Sequence, residues 1–258
     1  MASLSTLSAM SVRAFGKALF RLGGIEVSRW STAPKHTLLG LRWFPIRSVV
    51  DVGANEGQFA KWISTIFPLA QIYAFEPLPG PYAKLKAWTE SRRPNATLFN
   101  VALGERATET VMNLHVNHTP SSSLLSATNT QDTLYPNSQK RSTLVVKQET
   151  LDDALDSLQP PPEPDLLVKM DVQGYEDRVI MGGQRTLSRT RACILEVILD
   201  ELYVGQARFS NLVSSLGGLG LMYAGNLEQS YAGDGHVVFI DAVFVRPHLP
   251  SSPEESAS

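Results

Sequence analysis

From residue 46 onward, short apolar runs alternate with helical patterns, and this alternation limits the fold more than any other feature of the chain. Residues 48–53 (SVVDVG) form an apolar run that ends in Asp and Gly. A run without polar alternation suits a strand buried on both faces. Residues 56–67 carry Phe59, Ile63 and Ile66 or Phe67 at helical spacing. Residues 71–76 (QIYAFE) are rich in β-branched and aromatic side chains and predict a second strand. Pro77 and Pro79 break the chain before a helix over 80–91. A third strand is predicted over 97–103, a fourth over 165–172 and a fifth over 192–198. Helices follow at 174–187 and 208–216, and 220–224 with 242–246 supply two closing strands. The pattern gives an α/β fold with a mainly parallel sheet and helices on both faces.

Residues 104–164 interrupt the rhythm. Two strand-like segments, 108–116 and 143–148, flank a polar stretch that includes Ser121, Ser122 and Ser123. They predict an inserted hairpin with a long loop after strand three, then a short helix near 151–158 and a stiff proline linker, QPPPEP, at 159–164. The domain proper therefore spans 46–247. Residues 1–45 form an N-terminal extension in which Val12, Phe15, Leu19 and Leu22 predict a short helix with a basic face. That composition also resembles a transit peptide, but the basic run is short and lacks a long apolar region, which favours a helix packed on the domain. Residues 248–258, with Pro250 and Pro253 among serines, are expected to be disordered.

Lys plus Arg is 23 and Asp plus Glu is 25, for a net charge of -2. Such a balance gives no global attraction to nucleic acid, and none is expected as a partner. The one cysteine, Cys193, cannot make an internal disulfide or a cysteine-based zinc cluster, which favours a reducing, cytoplasmic compartment. No apolar run reaches the length of a membrane span.

The segment Asp51-Val-Gly53-Ala-Asn55-Glu-Gly57 sits where a strand turns into a helix. Ligands of doubly wound sheets bind at that edge, and glycines there admit a close backbone approach. Glu76, closing the second strand, can accept hydrogen bonds from ribose hydroxyls. The dinucleotide pattern fails, because Asn55 stands where its second glycine would be, and no Walker pattern occupies the turn. These points weigh against a nicotinamide oxidoreductase. Asp51 places negative charge where a phosphate binder would avoid it. S-adenosylmethionine, with an adenosine, a cationic amino-acid end and no phosphate, fits these residues.

The sequence resembles the FkbM family of S-adenosylmethionine-dependent methyltransferases on the class I methyltransferase fold. The resemblance rests on VVDVGANEGQFA at 49–60, YAFEPLPGPYAKL at 73–85, NVALGE at 100–105, LLVKMDVQGYEDRVIMGG at 166–183, LYVGQARFSNL at 202–212 and DAVFVRP at 241–247. It implies a Rossmann-like sheet of seven strands with an antiparallel last strand, and methyl transfer usually to oxygen, with sugars and polyketide-type hydroxyls among the acceptors. It implies that Gly53, Asn55 and Gly57 line the methionine part and that Asp51 orients the turn and the ammonium. Glu76 would hold the ribose, Pro77 and Leu78 would flank the adenine, and Asn100, Val101 and Ala102 would face its edge. The family often has D-V-E-G where this chain has Asp171-Val-Gln173-Gly174, so one acid is missing.

Methyl transfer to a hydroxyl needs in-line alignment and removal of a proton. Asp171 and Glu196 each end or interrupt an apolar strand, where an unpaired acid is costly. Asp171 is the expected base, with Lys169 as its structural partner if the two pair, and Glu196 is the second candidate. Glu176 also suits a helix N-terminus. His236 lies in the loop AGDGH before the last strand and is either a surface residue or a third catalytic candidate. A magnesium site using Asp171, Glu196 and Asp241 or His236 is the alternative mechanism, and a non-catalytic cofactor-binding module the alternative function. The metal-free enzyme is favoured, acting on a small-molecule or glycan acceptor. The loop at 117–142 is expected to form part of the acceptor pocket.

Overall fold

The computed structural model describes residues 37–92 and 95–247. The helix expected over 10–22 and the tail 248–258 lie outside the described residues. A 3-10 segment, Leu38–Trp43, precedes the first strand, and the Thr37 hydroxyl accepts from the Leu39 amide at 3.2 Å. Three strands follow, β1 (Ser48–Val52), β2 (Gln71–Phe75) and β3 (Ala96–Phe99), linked by α1 (Gln58–Ile63) and α2 (Pro79–Arg92). After the insertion come β7 (Leu166–Met170), helices α5 (Glu176–Gly182) and α6 (Gln184–Arg189), β8 (Ala192–Ile198) and α7 (Phe209–Gly218). A long hairpin of β9 (Met222–Tyr231) and β10 (Val237–Val245) closes the domain.

The main sheet has seven strands in the order β3-β2-β1-β7-β8-β10-β9. Only β10 runs antiparallel, against both β8 and β9. Every residue of β1 and of β7 is buried, as their unbroken apolar runs require of central strands. Alternation sorts their side chains between two cores. Val50, Val52, Val168 and Met170 pack beneath α5, α6 and α7, whereas Val49 and Leu167 pack beneath α1 and the 3-10 segment. The chain reverses its strand order between β1 and β7, which opens a crevice at their carboxyl ends.

The insertion makes a second sheet. Short β4 (Ala102–Leu103) pairs parallel with β6 (Arg141–Glu149), and β5 (Thr108–His115) pairs antiparallel with β6. The expected hairpin is present, but the third strand of the main sheet stops at Phe99, and residues 102–103 belong to the other sheet. Asn100 marks the break: its side-chain amide donates to the carbonyls of Glu76 and Pro77, a demand that a continued strand would not meet. The expected loop holds α3 (Asn129–Leu134), capped by the Thr128 hydroxyl, and Ser121, Ser122, Ser123, Gln131 and Ser138 are buried within it. Short helix α4 (Leu151–Asp156) then leads to the proline linker. The helix expected over 174–187 is two, parted at Gly183. The closing strands are longer than their apolar runs, because β9 carries a mostly exposed polar sequence. Among the described residues no helix is long and apolar enough to cross a membrane.

Candidate active site

A cleft of about 490 Å³ opens at the carboxyl edge of the sheet. The turn after β1 forms its floor. At Gly53, φ is +79° and a Cβ would fall 1.9 Å from the Asp171 carbonyl oxygen, so no side chain fits. Gly53 and Asn55 line the cleft; Gly57 is the left-handed residue that starts α1 and lies outside the lining. Beneath the turn sits Asp51, fully buried and paired in register with Lys169. Neither of its carboxylate oxygens makes a hydrogen bond of ordinary geometry among the described residues. Burial pushes its pKa up to about 7, against the pull of the Lys169 charge.

Glu76 lies at the end of β2, nearly buried, with Oε2 accepting from the Asn55 amide at 2.8 Å and Oε1 from the Leu78 amide at 2.7 Å. Burial raises its pKa to about 7, and the two amides oppose the rise. Each oxygen keeps a second lone pair for a ligand hydroxyl. Beside it, Pro77, Leu78, Val101 and Ala102 line an apolar recess, closed by Met112, Thr119, Pro120, Ser122 and Leu124 of the insertion. Thr119 reaches the floor directly, its hydroxyl 3.4 Å from the Asn55 side-chain amide. The insertion thus walls the recess next to Glu76. Asn100 stands behind the wall and clamps the backbone of Glu76 and Pro77.

At the other end, Asp171 and Glu196 both face the cleft. Asp171 Oδ2 accepts from Lys169 Nζ at 2.8 Å, and Oδ1 accepts from the Gln173 side-chain amide at 2.9 Å. The pairing of Lys169 with Asp171 is therefore real. Burial works against the Lys169 charge, yet Asp171, Asp51, Asp241 and Glu196 together hold its pKa above the ordinary lysine value. Glu196 Oε1 accepts from the same Gln173 amide nitrogen. Its Oε2 makes no hydrogen bond among the described residues. Burial first, then the Asp171 charge, raises the Glu196 pKa well above the usual carboxylate value. Glu176 turns back into the loop after β7, where Oε1 takes the amides of Val172 and Gly174 at 3.1 and 3.3 Å; it builds the loop rather than the cleft wall.

His236 is outside the cleft lining. It is exposed in the β9–β10 turn between two acids, with Nε2 2.8 Å from Asp200 Oδ2 and Nδ1 on Asp234. Hydrogen bonds to Asp200 and then Asp234 raise its pKa. The metal set considered from the sequence is not assembled: among the described residues no group of three or more His, Cys, Asp or Glu side chains is arranged to hold an ion. Tyr203 was not anticipated. It is fully buried, and its hydroxyl lies 2.7 Å from the Ser121 carbonyl and 2.9 Å from Gln173 Oε1. The signal in the sequence is its place in the segment LYVGQARFSNL at 202–212, which carried the family resemblance without giving Tyr203 a role.

The residues fit S-adenosylmethionine. Lys169 is the only basic residue among those described in the lining, and it is engaged by Asp171, so among the described residues the cleft offers no free cation for a pyrophosphate. The unsatisfied Asp51 carboxylate and the surrounding acids suit a cationic ligand instead. The cradle at Gly53 admits a ligand against bare backbone. Strand order, single antiparallel strand and cleft define a class I methyltransferase fold. Residues 51–221 match the family described as the methyltransferase FkbM domain, and the chain belongs to that family of S-adenosylmethionine-dependent methyltransferases.

A relative from Sinorhizobium fredii (strain NBRC 101917 / NGR234), the 2-O-methyltransferase NoeI, is 30% identical over 201 residues, covering 71% of this chain and 76% of the relative. Among solved structures, precorrin-6y C5,15-methyltransferase from Geobacter metallireducens GS-15 aligns with a TM-score of 0.39 at 15% identity, over 81% of this chain and 83% of that one. The 1,6-didemethyltoxoflavin-N1-methyltransferase of Burkholderia thailandensis aligns with a TM-score of 0.45 at 8% identity, over 91% and 86%.

Proposed function

We propose that the enzyme methylates a hydroxyl oxygen of a sugar or natural-product-like small molecule, and that Glu196 accepts the hydroxyl proton at Oε2. The observation that carries this reading is the contrast between the two cleft acids. Both oxygens of Asp171 already take a hydrogen bond from the chain, one from Lys169 and one from Gln173. Among the described residues Glu196 keeps one oxygen without a hydrogen-bond partner, and it lines the cleft. Burial and the neighbouring Asp171 charge raise its pKa, which strengthens it as a proton acceptor.

S-adenosylmethionine, when bound, supplies a methyl on a positively charged sulfur that leaves as a neutral thioether. Asn55 and the bare Gly53 backbone would flank its amino-acid end, with Asp51 beneath. Glu76 would accept from the ribose, and Leu78, Val101 and Ala102 would enclose the base. Glu196 Oε2 would take the proton of the acceptor hydroxyl as that oxygen is methylated. Asp171, tied to Lys169 and Gln173, has both oxygens already engaged beside the reacting centre.

Support for oxygen as the target comes from the relative named for 2-O-methyl transfer. Beyond Glu196 the cleft is walled by Phe59, Trp62 and Leu227, with Glu228 and Asp241 among them. Aromatic and apolar walls beside carboxylates suit a hydroxylated ring, which offers C–H faces to one and O–H donors to the other. The test uses methyl-labelled S-adenosylmethionine with a panel of methyl glycosides, phenols and primary amines. O-Methyl ethers are the expected products, and Glu196→Gln should cut turnover by about 10²–10⁴ while S-adenosylhomocysteine still binds. Label confined to the amines, or near-normal turnover of a folded Glu196→Gln, would overturn the reading.

A further inference from the structure

We propose that Gln173 is the positioning residue of the acid pair, held in place by Tyr203 and by the insertion. Gln173 follows β7 with φ of 55°, a left-handed conformation uncommon for a residue with a side chain. The insertion supports it there, because the Ser123 hydroxyl donates to its carbonyl at 2.8 Å. Its side-chain nitrogen reaches Asp171 Oδ1 at 2.9 Å and also Glu196 Oε1. An amide nitrogen carries two hydrogens, so one can go to each carboxylate. On the other side, Gln173 Oε1 meets the Tyr203 hydroxyl at 2.9 Å, and that hydroxyl is also 2.7 Å from the Ser121 carbonyl. Tyr203 has a single proton to share between the two acceptors.

Rotating the amide would set its oxygen against two carboxylates, so the acids themselves select the orientation that donates to them. The bridge has two consequences. It fixes the spacing of Asp171 and Glu196, which come from different strands. It also occupies Glu196 Oε1, which leaves Oε2 as the oxygen open to a proton. This second point rests on the assignment of Glu196 as the proton acceptor. Several charges face Glu196: Asp171 after β7 and Lys169 on it, Asp241 on β10, and Glu176 on α5. Of these, Lys169 favours the charged form, and the three acids oppose it. The Gln173 N–H adds a second favourable contact without adding charge. A carboxylate at position 173 would put another anion against the pair.

The experiment follows the Glu196 carboxyl by ¹³C NMR in protein with ¹³C-labelled glutamate, saturated with S-adenosylhomocysteine. Loss of one resonance in Glu196→Gln assigns the signal. Gln173→Leu removes the donated hydrogen bond and Gln173→Glu replaces it with repulsion. Both should raise the Glu196 midpoint, the second by about 1 unit or more. Tyr203→Phe should raise it less, with cofactor affinity retained. An unmoved midpoint in Gln173→Glu, which conserves size, overturns the proposal whether or not the leucine variant folds. The acid limb of the turnover profile should move with the midpoint. If the midpoint moves and the acid limb does not, Glu196 is not the base, but Gln173 still positions the pair.

Discussion

Glu76 holds the floor of the cleft and faces the cleft with the same carboxylate. Its oxygens take the amides of Asn55 and Leu78, fixing the turn after β1 and the bend after β2. Their remaining lone pairs are what a ribose would use. Glu76→Ala should therefore weaken S-adenosylhomocysteine binding by about 1.5–3 kcal/mol, the range for a hydrogen bond to a charged group. Two backbone amides also lose their acceptor, so some fall in thermal stability should accompany it. Titration calorimetry on the folded variant checks the first effect, and unchanged affinity would remove Glu76 from the ribose site. This residue was legible in the sequence because an acid closing a buried strand beside a glycine turn has few structural uses. Gln173 was noticed only as an absent acid. Its role as a bridge depends on Tyr203, thirty residues further along the chain, and no local pattern links the two.

The β1 turn and the end of β7 act as one unit because nothing separates them. A Cβ on Gly53 would sit 1.9 Å from the Asp171 carbonyl oxygen, and the positive φ adds strain for any other residue. Gly53→Ala should push apart the two strand ends that carry the floor and the acid pair. A loss of at least about 1 kcal/mol in unfolding free energy is expected. S-adenosylhomocysteine affinity should fall at least tenfold, since 1.4 kcal/mol of displaced contact suffices for that. Denaturant melts and calorimetry read the two effects, and wild-type affinity would show that the turn tolerates the shift. Such central elements were readable from sequence because burial on both faces leaves an apolar run, as in β1 and β7. The interior of the insertion, between its two predicted strands, was not. Its serines are buried because backbone and side-chain partners satisfy them, as Ser123 is by Gln173 and Ser122 by the His115 amide, and polarity alone gave no hint of that. The length of β9 was hidden too, since an edge strand with one mostly exposed face has no apolar run to mark its end.

Taken over the whole molecule, the site concentrates buried acids, and this links folding to pH. Burial raises Asp51 from 3.8 to about 7, and Glu76 and Glu176 from 4.5 to about 7. Between the unfolded and folded values the native state therefore binds more protons than the unfolded chain. Stability contributed by these groups is present at low pH and is lost as pH rises from about 4 through about 7. Asp51 should contribute strongly, because it is fully buried and, among the described residues, its oxygens make no hydrogen bond of ordinary geometry. Asp51→Asn should thus stabilise the cofactor-free protein at pH 7.5 by an amount on the order of 2 kcal/mol, as a shift of this size implies after allowance for solvent relaxation. At pH 4, where the wild-type carboxyl is largely protonated in the native state, the gain should nearly vanish. Urea unfolding at both pH values measures the difference. A variant less stable than wild type at pH 7.5 would mean that the charged carboxylate supports the fold. The same coupling runs through the ligand. If a ribose hydroxyl donates to Glu76 and the ammonium lies above Asp51, as proposed, both would favour the charged acids, so S-adenosylmethionine should bind more tightly as pH rises from 5 to 7.5. In Asp51→Asn that pH dependence should shrink, leaving the share that belongs to Glu76.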